Sequence, residues 1–573
     1  MGRTGTRDVA GRAELVLVAA VALLVLLLGW RMRWTSDDAF INVRIVENLL
    51  AGHGPVFNPG IRVEAGTSPL WLGLVALVSL LPGLGIEWAA VCLGLGLTTA
   101  GFVLAGLGGR RLLGSRDSVV VPAGLVLAAC LPPMWDFTTS GLETGLTFGW
   151  LGLSWWLCVR CLDPGAPRSG HLWTALVLGL GPLVRPDAAV FSVVFLVWLL
   201  VVQRTWRARA AVVLVAGLLP VAYQVFRMGF FGLLVPNTAV AKESSRALWE
   251  RGATYLLDFL APYGAVLVGP LVAALLAVVL VTLRGDRRAT GLVGAAVVGA
   301  LLHALYVVRV GGDFMHGRML LPATFLLLVA VAVVPVGRRW TTATVGLVAL
   351  TGVLSTVTAA TGRVEYAGRV SADGIADERG FYAALADHPR PVTLDDHEGN
   401  AFVPYGRAVA RLRESGSRVV VTQDGLLNPE RRVTVVGRAR ERLLFAMGNA
   451  GLLGVAAGTE TLALDGVGLT DSVGAHLEAG APGRPGHEKE VPLVWYWARY
   501  GSGLTDEARL RGVTAADVTA ARAALDCGAA AELLRATEQP MSWSRFWSNV
   551  GSSVTLTTLR IPVDPQEARR QLC

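Results

Sequence analysis

The chain has 573 residues, of which 53% are hydrophobic and 16% charged, with a mean hydropathy of +0.53. That is too apolar for an ordinary water-soluble enzyme and predicts a polytopic α-helical membrane protein. The formal net charge of +8 is a topology signal, because cytoplasmic loops of membrane proteins retain Lys and Arg, and nucleic acid is excluded as a partner class.

In chain order, the N-terminus reads MGRTGTRDVAGRAE and then runs apolar from Leu15 to Trp30. No small-residue cleavage site follows, which predicts an uncleaved first span with the N-terminus cytoplasmic. An outer loop, 31–85, comes next. Within it Pro69 to Leu81 is apolar but only about a dozen residues long, the length of an interfacial or re-entrant segment. Apolar stretches at 86–108, 118–135, 141–161, 171–185, 188–203, 209–231, 263–283, 289–309, 318–336 and 340–360 are each roughly long enough to cross a bilayer, giving about eleven spans. With Pro69–Leu81 lying flat outside, the basic loops at Arg110-Arg111 with Arg116, Arg160 to Arg168, Arg204 to Arg209, Arg284 to Arg288 and Arg338-Arg339 all become cytoplasmic. Residues 31–85, 136–143, 185–187, 232–262 and 309–318 are then extracytoplasmic.

After Thr361 the composition turns polar and Gly-rich without a further span. The expected division is a transmembrane domain over 1–361 and an extracytoplasmic β-rich α+β domain over 362–573. Arg418 to Thr422 and Arg432 to Val436 read as strands, and Asp506 to Leu534 as helix. Cys527 and Cys573 lie in this polar region and form the natural disulfide pair if it is outside the cytoplasm. Cys158 and Cys161 have CxxC spacing but sit in a Trp- and Leu-rich helix without a second ligand pair, which favours packing over metal binding.

The first outer loop holds Asp37-Asp38, followed by Asn42, Arg44, His53, Asn58, Glu64, Thr67, Ser68 and Trp71. Charges beside hydrocarbon are costly, so the carboxylate pair is the leading candidate for chemistry. One carboxylate can act as base toward a sugar hydroxyl or as nucleophile at an anomeric carbon. The bland alternative is that Asp37 caps the following helix, a role Ser36 could equally fill. Two consecutive carboxylates can also hold a divalent cation, but without further ligands at a set spacing the metal stays undecided.

A second group comprises Arg185-Pro186-Asp187, Asn237 to Lys242, and Arg309 to Arg318, the last including Asp313 and His316. Cations at the outer ends of spans run against the positive-inside tendency and suit an anionic lipid headgroup. Each alone could be a snorkelling side chain; three clusters on one side weaken that reading. Glu143, in Thr139-Ser140-Gly141-Leu142-Glu143, adds a carboxylate at a span start, where helix capping is the ordinary alternative.

The phrases TSDDAFI, VEAGTSPLW, TSGLET, RPD, PNTAVAK and GGDFMHGR, with ALDGVGLTD and GRPGHEK further on and the terminal Cys573, carry a resemblance across almost the whole chain. The sequence resembles the GT-C class of polyprenyl-phosphate-dependent glycosyltransferases, and more narrowly the actinobacterial terminal β-(1→2)-arabinofuranosyltransferases of cell-wall arabinan synthesis. The resemblance implies a decaprenyl-phosphoryl-arabinofuranose donor, an arabinan acceptor in arabinogalactan or lipoarabinomannan, and a carbohydrate-binding role for 362–573. It implies no nucleotide, and nothing in the chain resembles a phosphate-cradling glycine loop.

On this reading Asp37 and Asp38 are the expected catalytic carboxylates, and Arg185, Lys242, Arg309, His316 and Arg318 are expected at the donor phosphate. His53, Thr67, Trp71, Glu143, Asp187, Asn237 and Asp313 are expected at the substrate. A β-linked donor giving a β-linked product demands double displacement or a front-face route, since one in-line displacement would invert the anomer. The rival readings are a polyprenyl-phosphate-mannose-dependent mannosyltransferase, a lipid transporter, and a non-catalytic cell-wall binding protein. A transporter would place ionisable groups near the midplane, whereas the predicted spans are largely charge-free.

Overall fold

The computed structural model describes residues 2–114, 118–337, 341–423, 433–480, 483–484 and 486–573. Arg116, Arg338 and Arg339 of the basic loops, Arg432 of the second expected strand and Pro485 of the GRPGHEK phrase lie outside the described residues. The chain forms two compact units. The first comprises 1–34, 90–221 and 247–379, and the second comprises 35–89, 222–246 and 380–573.

Among the described residues, six helices are long and apolar enough to cross a membrane: Gly11–Arg31, Ile86–Leu113, Trp206–Phe231, Ala265–Thr282, Arg287–Val310 and Thr342–Thr361. These correspond to six of the about eleven expected spans, at 15–30, 86–108, 209–231, 263–283, 289–309 and 340–360, and the other expected stretches are built from shorter helices. The stretch 118–135 breaks into strand β1 (Ser118–Val121) and the helices Ala123–Ala129 and Pro132–Thr138. The stretch 318–336 becomes the Leu321–Val329 helix followed by strand β2 (Val334–Gly337), which pairs antiparallel with β1. Arg168–Gly179 stops before a separate turn at Gly181–Val184, and Ala189–Val202 has 14 residues. Pro122, Pro132, Pro133 and Pro182 stand at these breaks, where a missing amide donor ends or starts a helix.

The difference between long and short apolar helices has a physical reason. Hydropathy reports removal from water and does not distinguish lipid from protein as the apolar surroundings. The 17-residue Thr144–Arg160 helix buries Leu146, Phe148, Trp150, Leu151 and Trp155 inside the first unit. It packs on Ile86–Leu113 through glycines: a Cβ at Gly145 or Gly152 would run into the backbone of Gly94 or Gly101. Small residues at such contacts let two helix backbones approach closely.

The second unit carries a five-stranded sheet built from β3 (Val419–Thr422), β4 (Thr434–Ala439), β5 (Leu444–Met447), β6 (Leu462–Asp465) and β7 (Gly501–Ser502), in the order β6-β5-β3-β4-β7. The β3-β5 and β5-β6 pairs are parallel, with Val420 opposite Leu444 and Leu444 opposite Leu462; β4 runs antiparallel to β3 and β7. Buried Val420, Val436, Leu444, Leu462 and Leu464 pack with Trp495, Tyr496 and Trp497. The expected helical region resolves into Asp506–Leu510, Ala515–Leu525 and Gly528–Glu538, and further helices follow to the terminus, so helix outweighs strand in this α+β part. Cys527 and Cys573 form a disulfide with Cα atoms 5.3 Å apart.

Candidate active site

Asp37 opens the Asp37–Leu50 helix, and the cap is Ser36, whose hydroxyl accepts from the Ala39 amide at 3.2 Å. The capping role therefore falls to serine, and the Asp37 carboxylate points elsewhere. It is buried, and its Oδ1 accepts the Leu452 amide at 2.8 Å. The Gly451 amide and the Asn449 side chain also bond to it. Burial is the largest influence on this carboxyl and the Asp38 charge adds to it; against these the hydrogen bonds pull down, and the net pKa is raised to about 6. Asp38, one residue on, is half-buried.

The same helix is tied to the 454–461 loop by Arg44, which is fully buried. Its guanidinium donates to the carbonyls of Phe57 at 2.9 Å, Gly458 at 2.8 Å and Thr461 at 2.8 Å, and also to that of Gly454. Burial brings this group down to about 9. Asn58 reinforces the link by exchanging two hydrogen bonds with the Ala463 backbone, at 2.8 and 3.0 Å. Arg44 and Asn58 thus hold the acid-bearing helix against β6 and the turn before it. Glu64 receives Arg227 on both oxygens, at 2.6 and 3.1 Å, and the Tyr223 hydroxyl at 2.7 Å.

Of the other expected substrate residues in this loop, His53 is exposed and lies 3.3 Å from the Asn48 side chain. Thr67 is half-buried, and Trp71 is fully buried on the Pro69–Val78 helix, whose cap is Ser68. Asn237 is buried and donates to the carbonyls of Gly468 and Leu469, each at 3.0 Å, joining the PNTAVAK and ALDGVGLTD phrases. Lys242 is half-buried, and its ammonium makes no hydrogen bond or ion pair among the described residues. The adjacent Glu243 takes Lys489 at 2.8 Å and Arg560 at 3.3 Å.

In the first unit Arg185 sits between two carboxylates. It pairs with Asp187 at 2.9 Å and with Glu143, while Asp187 holds His303 at 2.9 Å. Burial would raise the Asp187 carboxyl, but Arg185 and His303 hold it below the usual range. Arg185→Ala is expected to leave Glu143 and Asp187 without their cation and to cost ~3–5 kcal/mol of stability. Thermal unfolding of the detergent-purified protein measures this, and an unchanged Tm would refute the structural role.

Arg318 pairs with Asp313 at 2.8 Å. Arg309 is half-buried at the end of Arg287–Val310. His316 is buried, with Nδ1 2.7 Å from Asp258 and Nε2 2.7 Å from the Tyr263 hydroxyl; Tyr366 bonds to the same Asp258 at 2.8 Å. His316 and Tyr263 line a pocket with Pro133, Asp136, Arg363 and Arg379. Asp136 accepts Arg363 at 3.1 Å and lies 3.8 Å from Arg379.

Sequence reasoning missed Asn449, Gly451 and Leu452 around Asp37, and Asp136, Asp258, Tyr263, Arg363 and Arg379 around His316. None carries a local motif: Leu452 is 415 positions from the carboxylate it holds. The one available signal was Asp258, an acid set between apolar Leu257 and Phe259 in Trp249–Leu260.

A family model described as the AftB family C-terminal domain matches residues 429–571. The chain is 36% identical over 612 residues to the terminal beta-(1->2)-arabinofuranosyltransferase of Mycobacterium tuberculosis, covering 96% of this chain and 95% of the relative. It is 34% identical over 595 residues to the protein of the same name from Corynebacterium glutamicum, covering 95% and 85%. Among solved structures, ArnT from Cupriavidus metallidurans bound to undecaprenyl phosphate is similar at 17% identity with a TM-score of 0.46, over 78% of this chain and 88% of that one. With identity at this level over nearly its full length, the chain is a multi-pass membrane glycosyltransferase belonging to the terminal β-(1→2)-arabinofuranosyltransferase family.

Proposed function

We propose that the protein transfers arabinofuranose from decaprenyl-phosphoryl-arabinofuranose to the non-reducing ends of cell-wall arabinan, in arabinogalactan or lipoarabinomannan, forming terminal β-(1→2) linkages. The observation that carries this is the near full-length identity to two arabinofuranosyltransferases. In this reading residues 1–361 form the catalytic transmembrane domain, with its chemistry in the outer loop 31–85, and residues 362–573 grip the acceptor glycan. Both the active site and the C-terminal domain face away from the cytoplasm.

Asp37 is the leading reactive carboxylate, because a buried acid with a pKa near 6 is ionised at neutral pH yet basic enough to take a proton. Asp38 is the second carboxylate of the pair. Retention of the β configuration assigns one of them to the anomeric carbon in a double displacement, or both to a front-face route. Arg185, Lys242, Arg309, His316 and Arg318 are assigned to the phosphate, whose developing negative charge they would stabilise as it departs. Lys242 suits the role best, since no carboxylate among the described residues answers its charge.

The deciding assay uses membranes containing the chain, offered lipid-linked arabinose or lipid-linked mannose with a synthetic arabinan acceptor, and product linkage read by NMR. Arabinose transfer in a β-(1→2) linkage is expected. Mannose transfer, or transfer unaffected in the Asp37→Asn/Asp38→Asn protein, would overturn the reading.

A further inference from the structure

We propose that the Trp543–Thr558 helix is an interfacial membrane anchor, seated in the lipid headgroup region through an apolar stripe of Trp543, Trp547, Val550 and Val554. At 3.6 residues per turn these four positions fall within about 60° of one another around the helix. Trp543 is 80% exposed, Trp547 58% and Val554 57%. Asn549, Ser553 and Leu556 form a separate, buried face, and Ser544, Ser548, Ser552 and Thr555 form a polar one. Three distinct faces on one helix are what a segment needs when protein, lipid and water each cover one side.

The occupant of the apolar face follows from where the helix is docked. Its buried side rests on the end of Trp206–Phe231, one of the six helices able to cross a membrane. Asn549 donates to the Gly229 carbonyl at 2.9 Å, and the Phe546 ring fills the space where Gly229 lacks a side chain. The crossing helix shows its own exposed stripe at Leu214, Leu218, Val221 and Val225. Its other side is apolar at Val212, Ala216 and Leu219 and turns polar at Tyr223 and Arg227, whose side chains bond to Glu64. Such a change from apolar side chains to satisfied polar ones marks the level where hydrocarbon gives way to headgroups.

A helix fixed at Gly229 lies at that level, where tryptophan indoles are favoured. Glycan stacking is the competing use of exposed tryptophans, but here aliphatic Val550 and Val554 continue the stripe, and the cation on the helix itself, Arg545, is already paired with Glu532 at 2.9 Å.

The full-length protein in phospholipid vesicles tests this by tryptophan fluorescence, taking the wild-type spectrum minus that of Trp543→Phe/Trp547→Phe. The difference emission is expected to be blue-shifted and to lose about half its intensity or more with lipids brominated close to the headgroup. Quenching of that component by aqueous acrylamide with no effect of brominated lipid would overturn the proposal. Protection by an arabinan oligosaccharide instead of by lipid would overturn it too, in favour of a glycan platform. The single variants Trp543→Phe and Trp547→Phe report each indole separately and keep the measurement available if the double variant folds poorly.

Discussion

Asp37→Asn is expected to lower arabinosyl transfer by about 10²- to 10⁴-fold, the usual worth of a positioned base, without weakening the fold. Asparagine keeps an oxygen to accept the Leu452 amide, so the local geometry survives. The carboxyl rises from 3.8 in its reference state to about 6 in the fold. A raised acid favours its protonated form, so its ionisation takes stability away as pH climbs from about 4 through 6, amounting to ~3 kcal/mol above that window. The Asn variant should therefore match or exceed the wild-type Tm at pH 8, with the advantage gone below about pH 4. Wild-type activity should fall on an acid limb near pH 6, where the carboxylate takes up its proton. Transfer retained in Asp37→Asn but lost in Asp38→Asn would move the reactive role to the neighbour.

Gly451→Ala is the second substitution with a large expected effect. A Cβ at this position would run into the Asp37 carbonyl and come within 2.7 Å of its carboxyl carbon. Backbone cannot yield as a flexible side chain does, so the helix start must shift, at ~1–3 kcal/mol. Displacement of a reactive group by about an ångström costs on the order of 10²-fold in rate, which sets the expected loss of transfer. Asn449→Ala separates positioning from collapse. Its hydrogen bond favours the ionised carboxylate, so its removal should move the acid limb of the pH–rate profile above pH 6 while Tm changes little. An unmoved limb would refute the positioning role of Asn449.

Part of the candidate site was legible because its signals are local. Asp37-Asp38 stand out as adjacent charges at the edge of a hydrophobic segment, and Ser36 announces the helix start directly before them. What surrounds the pair was not legible, because a backbone amide carries no residue signature: the Leu452 and Gly451 amides would be offered by almost any side chain at those positions. Arg185 shows a different limit. Its partner Asp187 lies two residues away, but its pairing with Glu143 joins segments 42 positions apart, which spacing along the chain does not encode.

Hydropathy and charge determined by themselves that this is a membrane protein with a polar C-terminal part, since both follow from the free energy of moving side chains out of water. Linear phrases carried the resemblance to the family, and near full-length identity to two relatives shows it. Only the tertiary structure decided which apolar stretches are long helices and which are short pieces packed in protein, as burial in protein and burial in lipid give the same composition. Tertiary structure alone also decided the state of the Asp37 carboxyl: its pKa is set by desolvation and by hydrogen bonds from residues 449 to 452, and both are properties of packing.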